Sequence, residues 1–184
     1  MNRHKIILNI TLSGVFIALG LLLPFLTGQI PDIGAMLCPM HIPVLICGFV
    51  CGWKYGTIVG FITPLLRSVI FSMPPMYPTA LSMAFELATY GFIVGFLYEL
   101  FSNKSKTGIV YIFITLIASM ILGRLVWGCV RYFLAVVDGS YSFNITIFLS
   151  GAFITAWPGI ILQLILIPTL IFTLEKTNIL KKES

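Results

Sequence analysis

Four ionisable side chains stand inside stretches that are otherwise apolar: Arg67, Glu86, Arg124 and Arg131. Charge in hydrocarbon is costly, so such residues face a partner, a cavity or the head groups, and each marks a functional-site hypothesis. Three positive charges against one negative leave a surplus that suits an anionic or carboxylate-bearing ligand. Arg124 and Arg131 lie two helical turns apart on one face, a separation of ~10 Å. Trp127 and Gly128 fall between them, offering a ring to stack on and space beside it. The structural alternative pairs Glu86 with one arginine and lets Arg131 reach the head groups. One acid cannot neutralise three arginines, so that alternative leaves cations over.

Further candidates surround this set. Trp157, followed by Pro158 and Gly159, interrupts the last apolar run, and Asn144 sits just above it. Tyr77 belongs to a rigid Ser72-Met-Pro-Pro-Met-Tyr-Pro78 loop whose Met and Tyr could line a mouth. His41 stands at a loop–helix junction, where a histidine serves as a hydrogen-bonding cap or as a ligand contact. The substrate-binding candidates are therefore Arg131, Arg124, Trp127, Glu86, Arg67, His41, Asn144, Trp157 and Tyr77. Gln163, mid-span, is expected to bond a neighbouring helix.

Catalytic constellations are not visible. There is no Gly-x-x-x-x-Gly-Lys-Ser/Thr nucleotide loop, no His-Glu-x-x-His and no intramembrane carboxylate pair. The expectation is a protein that is not an enzyme, with no cofactor and no metal. Cys38, Cys47, Cys51 and Cys129 all lie in apolar runs and read as small membrane residues rather than a disulfide framework. Cys47 and Cys51 are one turn apart, but no His or acid joins them at metal spacing.

The elements that must position these residues follow from composition. The chain has 184 residues, 59% hydrophobic and 9% charged, with mean hydropathy +1.06. A soluble domain carries roughly 25% charged residues, so a water-soluble globular enzyme is excluded. Six apolar runs are read at 6–26, 33–53, 55–71, 79–101, 108–137 and 145–174. Backbone groups in a bilayer must be satisfied internally, which makes these runs helices. The expected fold is an all-α membrane protein of six transmembrane helices, one integral domain over 1–184 with no appended soluble module. The first run is expected to be a span, since it lacks the small-residue cleavage site of a signal peptide.

Basic residues set the orientation. With the N-terminus inside, Arg3, Lys5, Lys54, Lys104, Lys106, Lys176, Lys181 and Lys182 collect on the cytoplasmic side, and the outer loops keep only Asp32 and Asp138. Both termini are then inside. The net charge of +5 reflects this bias; no basic face exists for nucleic acid.

The second run is irregular. Pro39 and Pro43 each remove a backbone donor and disfavour helix just before them. Residues 27–41 are therefore expected to form an irregular first outer loop ahead of a short second helix. Non-helical backbone at that depth needs protein or a wet cavity against it. In the first run, Gly14 and Ala18 have the small-x-x-x-small spacing that lets another helix approach.

Several motifs carry a family resemblance. Pro39-Met-His-Ile-Pro-Val-Leu-Ile-Cys-Gly-Phe, Cys51-Gly-Trp-Lys-Tyr-Gly, Pro64-Leu-Leu-Arg, Met73-Pro-Pro-Met-Tyr-Pro-Thr-Ala and Met83-Ala-Phe-Glu-Leu-Ala-Thr-Tyr-Gly are similar to segments of S components. These are the substrate-binding subunits of energy-coupling-factor (ECF) vitamin transporters, here of the pantothenate/pyridoxine-type subgroup. The likeness runs from about residue 6 to 175. It implies a six-helix subunit of the bacterial cell membrane that captures a vitamin at the outer surface, held by the first outer loop and the outer parts of the last three helices. It also implies as partners a transmembrane T component and two cytoplasmic ATPase subunits, the former docking on an Ala-x-x-x-Ala-type face matched by Gly14 and Ala18.

Pantothenate, a carboxylate, suits the surplus arginines; pyridoxine or hydroxymethylpyrimidine would suit stacking and polar contacts. The contrasting reading is a membrane-embedded assembly or sensor protein whose buried Arg–Glu contacts only hold helices together.

Overall fold

The computed structural model describes residues 3–27, 30–103, 108–139 and 143–177. Among these the structure is predominantly helical, without strands. Eight α-helices follow in order: α1 (Arg3–Leu22), α2 (Pro31–Leu37), α3 (His41–Cys51), α4 (Trp53–Phe71), α5 (Leu81–Asn103), α6 (Ile109–Asp138), α7 (Ile145–Leu149) and α8 (Trp157–Lys176). A 3₁₀ turn, Leu23–Thr27, extends α1, and π-type turns at Met76–Ala80 and Ser150–Ile154 precede α5 and follow α7. Four stretches are long and apolar enough to cross a membrane: Arg3–Leu26, Met76–Ser102, Ile109–Asp138 and Trp157–Lys176.

The second apolar run is two helices rather than a loop and a helix. Pro31 opens α2, where its missing N–H and fixed φ cost nothing. Cys38 closes it in the left-handed region, at φ 47°, and its N–H returns to the Gly34 carbonyl. α3 then runs for 11 residues, about 16 Å of rise, half the thickness of a bilayer core. Gly52 alone joins α3 to α4, at φ 88°, a conformation that side chains resist. The last run breaks at Ala156 (φ −86°, ψ 0°), and Trp157 and Pro158 begin α8 instead of interrupting it. A proline in a first turn has no intrahelical hydrogen bond to lose.

Apolar burial cannot pull helices together in lipid, so close backbone approach does the work. Added methyl groups at Gly91 and Gly60 would strike the Gly56 and Leu87 carbonyls, which holds α5 tightly against α4. Val44, Leu45, Leu87, Val94, Leu116 and Ile167 form the buried centre of the bundle.

Three contacts fix which ends coincide. Asn9 Nδ2 donates to the Cys51 carbonyl at 3.5 Å, Gly95 lies against Trp53, and the Tyr98 hydroxyl donates to Glu175 Oε1 at 2.7 Å. Arg3, Lys5, Lys54 and Lys176 are thereby gathered toward one end of the bundle. Lys104, Lys106, Lys181 and Lys182 lie outside the described residues. At the opposite end, α2 crosses the start of α8, with Gly159 beneath the Met36 and Leu37 carbonyls.

Of the four long apolar stretches, the one that contains α1 is the least embedded. Only Asn9 and Gly20 are buried in α1, and Gly14 and Ala18 both lie on exposed surface.

Candidate functional site

At the end opposite the basic cluster, a cavity of about 550 Å³ opens between α2, α4, α5 and α6. Its floor is built on Glu86, which is 1% exposed. Glu86 Oε1 accepts from Arg124 Nη1 at 2.9 Å and from the Tyr90 hydroxyl at 2.9 Å. His41 Nε2 faces the same oxygen at 3.4 Å. Glu86 and Tyr90 are four residues apart on α5 and meet on one helical face. Arg124 comes from α6 and His41 from the first turn of α3, so three helices converge on one oxygen.

The wall above this floor comes from the α2–α3 junction and the proline-rich loop. Arg124 Nη2 donates to Cys38 Sγ at 3.5 Å, and the His41 N–H donates to the Cys38 carbonyl at 3.0 Å. The left-handed cap at Cys38 thus turns a sulfur toward the arginine that holds Glu86. Met73, Pro74, Pro75, Thr79, Gly151 and Thr155 contribute elsewhere to the lining, and Asp32 stands exposed at the rim.

Five of the nine sequence candidates line this cavity: Glu86, Arg124, His41, Arg67 and Trp127. Arg67, 3% exposed, donates from Nη1 to the Leu21 carbonyl and lies 5.2 and 5.3 Å from the ring centres of Phe25 and Phe71. Trp127 packs against Phe143 and Phe148.

The other four are placed elsewhere. Arg131 stacks over Trp127 at 5.8 Å and reaches Thr79 Oγ1 at 3.3 Å, one layer behind the lining. The Tyr77 hydroxyl donates to the Leu134 carbonyl at 3.0 Å, tying the loop to α6. Asn144 caps α7 by accepting from the Ile147 N–H at 2.9 Å, beside a separate apolar hollow of about 320 Å³. Trp157 is 58% exposed at the start of α8. Tyr90, Cys38 and Asp32 are among the lining or floor residues that sequence reasoning passed over. The i, i+4 spacing of Glu86 and Tyr90 was a usable signal; for Cys38 none existed, because its role depends on a left-handed backbone.

The fold and site define a helical, membrane-embedded protein with a charged chamber of small-molecule size at one end. The profile of the family "ECF transporter, substrate-specific component" matches residues 8–171. The chain belongs to that family. Curated proteins and solved structures gave no match.

Proposed function

We infer that this chain is the vitamin-capturing S component of an ECF-type importer in a bacterial cell membrane. The cavity faces outward, and the end carrying Arg3, Lys5, Lys54 and Lys176 faces the cytoplasm, in accord with the positive-inside rule. Six crossings make up the domain: the four long apolar stretches, α4, and α3 extended outward by α2. A transmembrane T component and two cytoplasmic ATPase subunits supply the energy that this chain has no nucleotide loop to provide.

The observation that carries this reading is the chamber itself. A volume of about 550 Å³ falls within the range of small-molecule sites. Its buried polar groups are arranged around Glu86, where a helix-tethering role alone would require no hollow. Pantothenate is the first candidate, with pyridoxine and hydroxymethylpyrimidine as the others.

Thermal-shift screening of the purified protein in a neutral detergent against a vitamin panel tests this. One panel member should raise the melting temperature with a concentration dependence that gives a dissociation constant. A panel with no shift at any concentration, alongside a cooperative melt, would favour the assembly reading.

A further inference from the structure

Counting charges along the sequence left a surplus shared among Arg67, Arg124 and Arg131 without saying which of them would meet an anion. Packing distinguishes them. Arg124 has its counter-ion in Glu86 at 2.9 Å, and Arg131 stands behind the lining against Trp127 and Thr79. The buried acid within the chamber is thereby matched by one arginine. Arg67 remains.

Its surroundings differ from those of Arg124. Arg67 is as buried as the floor residues, yet no carboxylate among the described residues pairs with it. Asp32, the other acid of the lining, is exposed. A guanidinium carries five N–H donors. One goes to the Leu21 carbonyl, and the rings of Phe25 and Phe71 hold the group at 5.2 and 5.3 Å. The remaining donors have no acceptor among the described residues, and the side chain lines the cavity. A cation in a low-dielectric setting with unfilled donors attracts a carboxylate strongly, and the planar fork matches one in bidentate fashion.

We propose that Arg67 is the carboxylate-binding residue of the chamber and sets its preference for acidic ligands. The proposal rests on the capture function inferred above. The ligand's carboxylate lies at Arg67, between α4 and the end of α1. The Glu86–Arg124–His41 floor, already charge-balanced, takes the ligand's neutral hydroxyl or amide groups. Arg67 is then held by aromatic faces in an orientation fixed before the ligand arrives, which lowers the ordering cost of binding.

Matched pairs differing only in charge test this: pantothenate against its alcohol analogue pantothenol, and nicotinate against nicotinamide. Binding is measured by calorimetry on the detergent-purified full chain. The acid of the recognised pair should bind about tenfold or more tightly than its neutral partner. Arg67→Gln should erase that preference, and Arg67→Lys should retain part of it. The wild-type comparison stands even if Arg67→Gln fails to fold. The proposal is overturned if the neutral partner binds as well as the acid, if only uncharged vitamins such as pyridoxine bind, or if folded Arg67→Gln keeps the full preference. Loss of acid binding in phosphatidylglycerol nanodiscs but not phosphatidylcholine ones would also overturn it, since a lipid phosphate would then be the group at Arg67. Absence of binding by any vitamin would instead defeat the capture function on which the proposal depends.

Discussion

Glu86 on α5 and Arg124 on α6 meet through a single 2.9 Å contact that also orders the chamber floor, because Tyr90 and His41 converge on the same Glu86 oxygen. The pair is buried on both sides, at 1% and 9% side-chain exposure. In that setting the attraction is strong, and so is the penalty for leaving either member alone. Removing one partner exposes the other as an unmatched charge in a low-dielectric interior.

Substituting Arg124→Gln or Glu86→Gln singly should therefore cost about 3–5 kcal/mol of stability, and the double substitution less than the sum of the two. Melting curves of the three variants give the coupling. Strict additivity would mean that the pair is not the structural unit described. Ligand affinity should fall at least tenfold in either single variant, because the floor loses its arrangement.

Gly14 offers a separate test, since nothing lies within 4 Å of a methyl group added there. Gly14→Leu should leave the melting temperature and ligand affinity of the isolated subunit unchanged while abolishing uptake in cells. Joint loss of binding and uptake would show that this face supports the fold rather than a partner.

The α4–α5 seam predicts the opposite behaviour. Gly91→Val places side-chain atoms against the Gly56 carbonyl, a backbone group that cannot swing aside. We expect destabilisation of about 3 kcal/mol, at the upper end of ordinary overpacking costs. Yield of monodisperse protein and its melting temperature both report it. A variant melting within a degree of wild type would mean the helices are less closely packed than described.

Tyr98→Phe removes the hydroxyl that donates to Glu175 Oε1 at 2.7 Å, at the end remote from the chamber. A loss of about 1 kcal/mol in stability is expected, with ligand affinity unchanged. An affinity change beyond twofold would reveal coupling between the two ends.

Much of the architecture was legible because hydropathy is a local property. The apolar runs, the shortness of α3, and the gathering of Arg3, Lys5, Lys54 and Lys176 toward one end could be read residue by residue, whereas α2, expected as loop, could not. The small-residue spacing of Gly14 and Ala18 was legible in the same way. The membership of the charged set was equally plain, since Arg67, Glu86 and Arg124 are conspicuous in apolar surroundings. Their partners were not. Whether Glu86 meets Arg67, Arg124 or Arg131 depends on the rotation and height of α4, α5 and α6 relative to one another. Those quantities arise from seams such as Gly56–Gly91 between residues far apart in the chain. The left-handed turn at Cys38 and the capping of α7 by Asn144 likewise depend on backbone geometry that residue types do not specify. Composition determined that buried charge must exist and must be answered; only packing decided that Arg124 is answered by Glu86 and that Arg67 faces the chamber.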